Sequence, residues 1–394
     1  MARFATPYEL NEIYGTITDR GAPTPTELQS NFGIIQPFET ETINLDKIAP
    51  DLRIGIFVAP DVSAKPTVLR GFDTKVFYPG YWKDKGTVDF RNIRSRKVGE
   101  QFSVPTSNAG KIAMALQDTM VLMTAKRERL LEWIAAQILI YGSYTATSER
   151  HPAVLVDLEP NIATHATNNG VTATGVPAAQ GVALNSGRAN RANISGADVT
   201  NPVSGQVFPT LGTGRAWTAA NITAGTATPV ADLQAMLDAA YEPLSKFYVS
   251  ESAWQALLLD PVFAKNILTT IVAPSSMLMA ELLPKQQSKE GLKLRGTIAG
   301  IPIWTYTAAY QATNQAGAAT TKFLPDGWVI GVPQAGYGVQ AYGAIQHGLA
   351  DFSSSEMFWN SWTEEEFGTP WIQAQSAPIF LHTKINSTTA WKVN

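Results

Sequence analysis

The sequence predicts an α+β chain built from several units, and three observations carry that prediction. Residues 111–142 have the apolar spacing of one long amphipathic helix. Most other apolar runs are short, β-branched and bounded by Gly or Pro, which is strand patterning. Residues 229–350 then alternate helical and extended patterns, as an α/β unit does. At 394 residues the chain has room for two or three domains.

In the helix, Ile112, Leu116, Met120, Met123, Leu130, Ile134, Ile138 and Tyr141 recur three, four or seven residues apart and share one face. Ser107 or Asn108 can cap its start, and Gly142 stands where a helix stops. About thirty residues at 1.5 Å rise make a rod of ~45 Å, which lies along a sheet rather than inside a small bundle. Arg127, within Lys126-Arg127-Glu128-Arg129, interrupts the stripe.

Residues 1–50 read as an extended arm. Pro7, Pro23 and Pro25 exclude a long helix there, and only Phe32–Ile35 and Thr40–Leu45 have strand character. Arg53–Val58 is a strand within 51–62. Residues 63–100 read as a long two-stranded excursion. Its strands are Lys75–Tyr78 and Val88–Arg91, with turn signals at Pro79-Gly80 and Lys85-Gly86. The excursion is basic: residues 65–97 hold nine Lys or Arg against three Asp, on a chain whose net charge is −3.

Residues 101–160 carry the long helix. Residues 161–228, in which Arg188, Arg191, Asp198 and Arg215 are the charged residues, read as a β-rich insertion of short hairpins or a flexible segment, with low net charge and modest β-branching favouring the β-rich insertion. The α/β block 229–350 holds a helix at 230–241, a strand at 247–249 and a helix at 252–259 opened by Ser250 or Ser252. Asp260-Pro261 caps a further helix at 262–270. Strands follow at 301–306 and 328–330, with a small polar loop at 308–321. Residues 351–394 end on a strand at 377–382.

Composition excludes several function classes. The acidic balance offers no excess of cations for sequence-independent nucleic-acid binding. Without cysteine there is no thiolate chemistry and no disulfide. No run of 18 apolar residues is present to span a membrane, and the N-terminus lacks the pattern of a secretory signal. The histidines His151, His165, His347 and His382 have no metal-ligand spacing. Asn108-Ala109-Gly110-Lys111 lacks the first glycine and the Ser/Thr of a phosphate loop, and Gly-x-Ser-x-Gly is absent. Glu364-Glu365-Glu366 reads as a solvated turn or an intersubunit pair rather than a cation site. No catalytic residue, cofactor or metal is therefore expected, and the chain reads as a non-enzyme. Only 16% of its residues are charged, against ~25% in an average soluble protein, which suggests that much of its surface is covered by something else.

Three sets of short motifs share their order with a known family. The C-terminal part has Phe323-Leu324-Pro325-Asp326, Tyr342-Gly343 followed by Ile345-Gln346, and Gln375-Ser376-Ala377-Pro378-Ile379-Phe380-Leu381. The middle has Arg70-Gly71 and Pro79-Gly80-Tyr81. The N-terminal part has Pro37-Phe38-Glu39-Thr40-Glu41, Ile48-Ala49-Pro50 and Ala59-Pro60. With the long helix in matching position, the chain resembles the lambda-type phage major capsid protein family, also called the capsid protein E family. Residues 161–213 are the main departure and look like an insertion.

The resemblance implies the Hong Kong 97-like capsid fold. It has an N-terminal arm (1–50), an extended β-hairpin loop (63–100), a peripheral domain with a spine helix (51–62, 101–160 and 351–394) and an axial α/β domain (229–350). It implies a subunit of a tailed double-stranded DNA phage, closing as hexamers and pentamers into an icosahedral head. Assembly would occur in the bacterial host cytoplasm, with the product residing in the virion. Decoration, scaffold and portal proteins are partners to expect, with packaged DNA enclosed without sequence-specific binding and no membrane contact. Lys83, Lys85, Arg94 and Arg96, on the basic excursion, are the candidate intersubunit contacts. The alternative is an encapsulin-like protein compartment of the same fold, told apart by the absence of packaged genome.

Overall fold

The computed structural model describes residues 26–48, 72–87, 108–148, 151–158, 199–200, 207–208, 216–240, 242–263, 287–288, 291–311, 320–334, 336–364, 369–384 and 387–393. In chain order the elements begin with β1 (Ile34–Pro37), β2 (Ile43–Ile48), β3 (Phe72–Phe77), β4 (Trp82–Thr87), α1 (Asn108–Tyr141), β5 (Ser143–Ser148) and β6 (His151–Asp157). Next come β7 (Val199–Thr200), β8 (Val207–Phe208), α2 (Ala219–Thr223), α3 (Pro229–Ala239), β9 (Leu244–Val249), α4 (Glu251–Leu258), β10 (Gln287–Ser288), β11 (Leu292–Ile298), β12 (Ile301–Tyr306), β13 (Ala309–Gln311) and β14 (Thr320–Lys322). The last are β15 (Trp328–Pro333), β16 (Gly338–Tyr342), β17 (Phe358–Thr363), β18 (Pro370–Ser376), β19 (Pro378–His382) and β20 (Thr389–Lys392). The predicted strand at Arg53–Val58 lies outside the described residues.

The long helix forms as its spacing predicts. It ends at Gly142, which takes φ 72° while its N–H closes on the Ile138 carbonyl at 2.8 Å. Met120, Met123, Ile134 and Ile138 are buried on the predicted stripe. The C-terminal half is buried more widely than one face allows, since Leu131, Ala135, Ala136, Leu139 and Ile140 are also inside. The reason is that this half lies between two sheets.

One of these is the six-stranded mixed sheet, in the order β10-β11-β12-β9-β15-β20. Strand alternation gives it two apolar faces. Tyr248, Tyr306, Trp328, Ile330 and Ala390 turn toward α1. Phe247, Val249, Ile303, Val329 and Trp391 turn the other way, onto Ile222 of α2, Leu233 and Met236 of α3, and Trp254 and Leu257 of α4. Both faces of β15 are therefore covered, and all six of its residues are buried.

The second sheet, β1-β16-β19, presses Ala341, Ile379, Phe380 and Leu381 into the same core as the helix. Leu28 and Phe32, not Ile34 or Ile35, are the residues of the N-terminal stretch that are buried in this core. A third sheet, β17-β18-β4, packs Trp359, Ile372 and Ala374 on Met120 and Met123 in the N-terminal half of α1.

Local capping follows the sequence. Ser250 Oγ accepts the Ala253 N–H at the start of α4. Asp260 accepts Val262 N–H at 2.8 Å as expected, and its other oxygen accepts Val230 N–H at 3.0 Å from the start of α3. Between β11 and β12, Ala299 and Gly300 take φ 49° and 80°, the two positive values that a two-residue hairpin turn demands.

Several expectations are corrected. Lys85-Gly86 is not a turn but lies inside β4. A Cβ on Gly86 would meet Thr119 Cγ2 at 2.6 Å and Met123 Cε at 2.9 Å, so the glycine lets the strand approach the helix. Strands β3 and β4 do not pair with each other: β3 pairs with β2, and β4 pairs with β18. The expected second strand of the excursion, Val88–Arg91, lies outside the described residues. The polar loop 308–321 holds a short hairpin of β13 and β14. Of the predicted β-rich insertion, the described part comprises the two-residue pair β7–β8 and then α2, whose Thr218 side chain caps a helical turn. The C-terminal strand β20 joins the six-stranded sheet beside β15 rather than the sheet that holds β19.

Candidate intersubunit surface

Lys83 and Lys85 sit in the middle of β4, not at a loop tip, because the register of β4 on β18 runs through both. Both are exposed. The inward residues that alternate with them have partners of their own. Trp82 and Gly86 face the helix, and Asp84 pairs with Lys126 at 3.0 Å. Arg94 and Arg96 lie outside the described residues.

Cross-strand register builds the outward face of this sheet. Lys85 stands opposite Gln373, which stands opposite Asn360; Thr87, Trp371 and Trp362 form the adjacent row. The Trp362 and Trp371 rings stack at 6.4 Å with planes 10° apart. The Lys85 ammonium lies 3.8 Å from the Trp371 ring centre and 5.2 Å from that of Trp362. The Lys83 ammonium lies 5.3 Å over Tyr81. The structure thus pairs each lysine with aromatic rings of its own chain, worth ~0.5–1 kcal/mol per exposed contact. The two tryptophans are functional candidates that sequence reading missed, since only the non-local register brings them to Lys85.

A second feature has no sequence signature. Glu132, in the buried half of α1, is fully inside the protein. Its Oε1 accepts Leu28 N–H and its Oε2 accepts Gln29 N–H, each at 2.9 Å, and the Tyr306 hydroxyl donates to Oε1. The neighbouring Glu27 accepts from the Tyr248 hydroxyl at 2.7 Å and pairs with Lys246 at 3.2 Å. Two carboxylates therefore fasten residues 27–29 to the junction of helix and six-stranded sheet. Burial pushes the Glu132 carboxyl up to about 7, with the three donors pulling it back and the charge on Glu27 adding to the rise.

Arg127, which interrupted the stripe, is also buried, and its guanidinium lies 5.4 Å over the Tyr342 ring. Among the described residues no group of three or more His, Asp or Glu could hold a metal ion, and no helix is long and apolar enough to cross a membrane.

Comparison with known proteins places this geometry. A family model described as phage major capsid protein E matches residues 9–158 and 190–393. The gap at 159–189 overlaps the first part of the departure expected at 161–213, whose remainder, 190–213, follows the family pattern. The major capsid protein of Enterobacteria phage P21 is 22% identical over 348 residues, covering 87% of this chain and 86% of that protein. The major capsid protein of Enterobacteria phage phi80 is 30% identical over 139 residues, covering 34% of this chain and 39% of its own. Among solved structures, one from Escherichia coli CFT073 assigned to the capsid protein of a prophage superposes over 100% of both chains, with a TM-score of 0.62 at 15% identity. With the family pattern running through both α1 and the sheets around it, the chain belongs to the phage major capsid protein E family.

Proposed function

We propose that this major capsid protein closes as hexamers and pentamers into the icosahedral head of a tailed phage, enclosing double-stranded DNA without reading its sequence. The observation that carries the reading is the family match over nearly all of the chain, joined to a whole-length fold likeness to a prophage capsid protein. The chain acts by assembly and not by catalysis. In this reading residues 1–50 are an arm, 63–100 an extended loop, α1 the spine of a peripheral domain and the six-stranded sheet the centre of an axial one. Scaffold, portal and decoration proteins are its partners, and assembly takes place in the host cytoplasm before release as a virion.

Closed rings of one subunit need heterologous contacts, in which one surface of a copy meets a different surface of the next. Basic residues of the extended loop, Lys83, Lys85, Arg94 and Arg96, are the proposed contacts toward an acidic neighbour. The test is electron microscopy of the expressed protein beside its variants. The wild type forms closed shells. Lys83→Glu/Lys85→Glu and Arg94→Glu/Arg96→Glu keep the circular dichroism of the folded subunit while losing sedimenting particles. Shells without nucleic acid in infected cells would favour a protein compartment instead. Normal shells from both double variants would remove these four residues from the interface.

A further inference from the structure

Two surface features adjoin each other, each apolar and the two carrying opposite charge. The first is a knob at residues 348–352. Leu349 is 67% exposed and Phe352 61%. Asp351 and Phe352 take φ 50° and 51° in succession, a left-handed conformation that L side chains resist and a bulky aromatic resists most. The turn is nevertheless braced. Ile345 N–H donates to the Ser353 carbonyl at 3.1 Å, the Ser353 hydroxyl donates to the Ala350 carbonyl at 2.7 Å, and His347 Nδ1 accepts Leu349 N–H at 3.1 Å. Ile345, Ala350 and Phe358 form a small core beneath it. A strained backbone held this firmly, with its two largest apolar side chains outward, is built to present them.

The second feature is a half-open cavity of about 320 Å³ between β4, α1 and β5, with Trp82, Leu130, Trp133 and Ala146 in its apolar wall. Lys83 stands at its rim, and Tyr81 forms part of its lining. The Tyr81 hydroxyl accepts Gln346 N–H at 3.2 Å, so knob and cavity are parts of one continuous surface. The knob carries an exposed acid, Asp351, between its apolar residues, and the cavity carries an exposed cation. Exposed apolar side chains and an apolar hollow of opposite charge on one molecule are what a repeating contact between copies can use.

We propose that the Leu349–Phe352 knob of one subunit seats in the Trp82–Trp133 cavity of a neighbouring copy, with Asp351 set against Lys83. The proposal rests on the shell reading and deepens it, by naming the partner of Lys83 and an apolar anchor beside it. The anchor supplies the buried area, and the ion pair selects the orientation.

The natural chain has no cysteine, so a pair can be introduced without background. Particles of the Phe352→Cys/Ala146→Cys chain, oxidised or treated with a short bismaleimide, are expected to give a ladder of joined chains on a denaturing gel. Either single variant should give none. Particles that form but run as single chains, joined internally or not at all, overturn the proposal. Should the cysteine pair not assemble, charge reversal decides. Asp351→Lys and Lys83→Asp each lose particles while the subunit stays folded, and the two together restore them. Normal assembly of both single reversals, or no rescue by the pair, overturns it. Failure of the wild type to form particles would count against the shell reading itself and is scored separately.

Discussion

Replacing Glu132 by Gln tests the clamp on residues 27–29 through its pH dependence. Moving a carboxyl from 4.5 to about 7 makes its ionised form about 3 kcal/mol costlier in the fold than its neutral form. The native subunit then holds more protons than the unfolded chain between about pH 4.5 and 7. The contribution is fully present below that window and lost as pH rises through it, at up to ~1.4 kcal/mol per pH step. Glu132→Gln keeps the shape and does not titrate, so its stability should lack this decline. Urea unfolding of the unassembled subunit, followed by tryptophan fluorescence between about pH 5 and 8, measures the difference of slopes directly. Tyr306→Phe removes a donor that favours the ionised form, and so should move the window upward. Parallel curves for wild type and Glu132→Gln across the window would refute the reasoning, because a carboxyl titrating there cannot be silent.

Three further outcomes are expected. Ile134→Asp places an unpaired charge at a position 4% exposed between two sheets, and should abolish soluble folded subunit in expression trials. Gly338→Ala puts a Cβ 2.7 Å from the Asn31 carbonyl oxygen and 2.8 Å from Phe32 Cα, backbone atoms that cannot rotate away; a loss of about 1–3 kcal/mol in urea unfolding is expected. Arg127→Met should leave the melting temperature unchanged or raised, because Arg127 Nε and Nη2 meet no hydrogen-bond acceptor among the described residues and the desolvation of the charge is relieved. A drop of more than about 3 kcal/mol on Arg127→Met would mean that the guanidinium has a partner outside those residues.

What the sequence disclosed was governed by locality. The helix is legible because Ile112 to Tyr141 encode its face within a few turns, and Ser250 and Asp260 announce their caps within three residues. The family was legible because its motifs keep their order. Glu132 was silent because its partners are backbone N–H groups 103 and 104 residues away, and a glutamate within a helix has no outward sign of burial. Lys85 was recognised as a cation on a basic segment, but its tryptophans come from the far end of the chain. Gly86 misled in the other direction. A glycine beside a lysine is a turn signal locally, whereas here its missing side chain serves contact with α1. The hairpin β5–β6 went unread, although Tyr144 and Val156 belong to the core.

The two halves of α1 divide the labour that assembly imposes. Its N-terminal half seats the sheet carrying Lys83 and Lys85 through Met120 and Met123. Its C-terminal half holds residues 27–29 through Glu132 and lies against the six-stranded sheet. Met120 and Glu132 are separated by about 18 Å along the axis at 1.5 Å per residue. Close-packed interiors deform little, so a load applied at the β4 sheet reaches the core of the subunit through this helix rather than being absorbed beside it. The intrachain rings over Lys83 and Lys85 fit the same demand. Each lysine is held against a ring of its own chain, so in the intersubunit contact proposed above less of its side-chain freedom would remain to be lost. One exposed ion pair contributes only about 0–1 kcal/mol, which is too little to hold a subunit, yet repeated around a closed shell it can decide whether the shell forms. Preordered cations on a sheet fixed to a rigid helix are therefore a physical means by which weak contacts become sufficient.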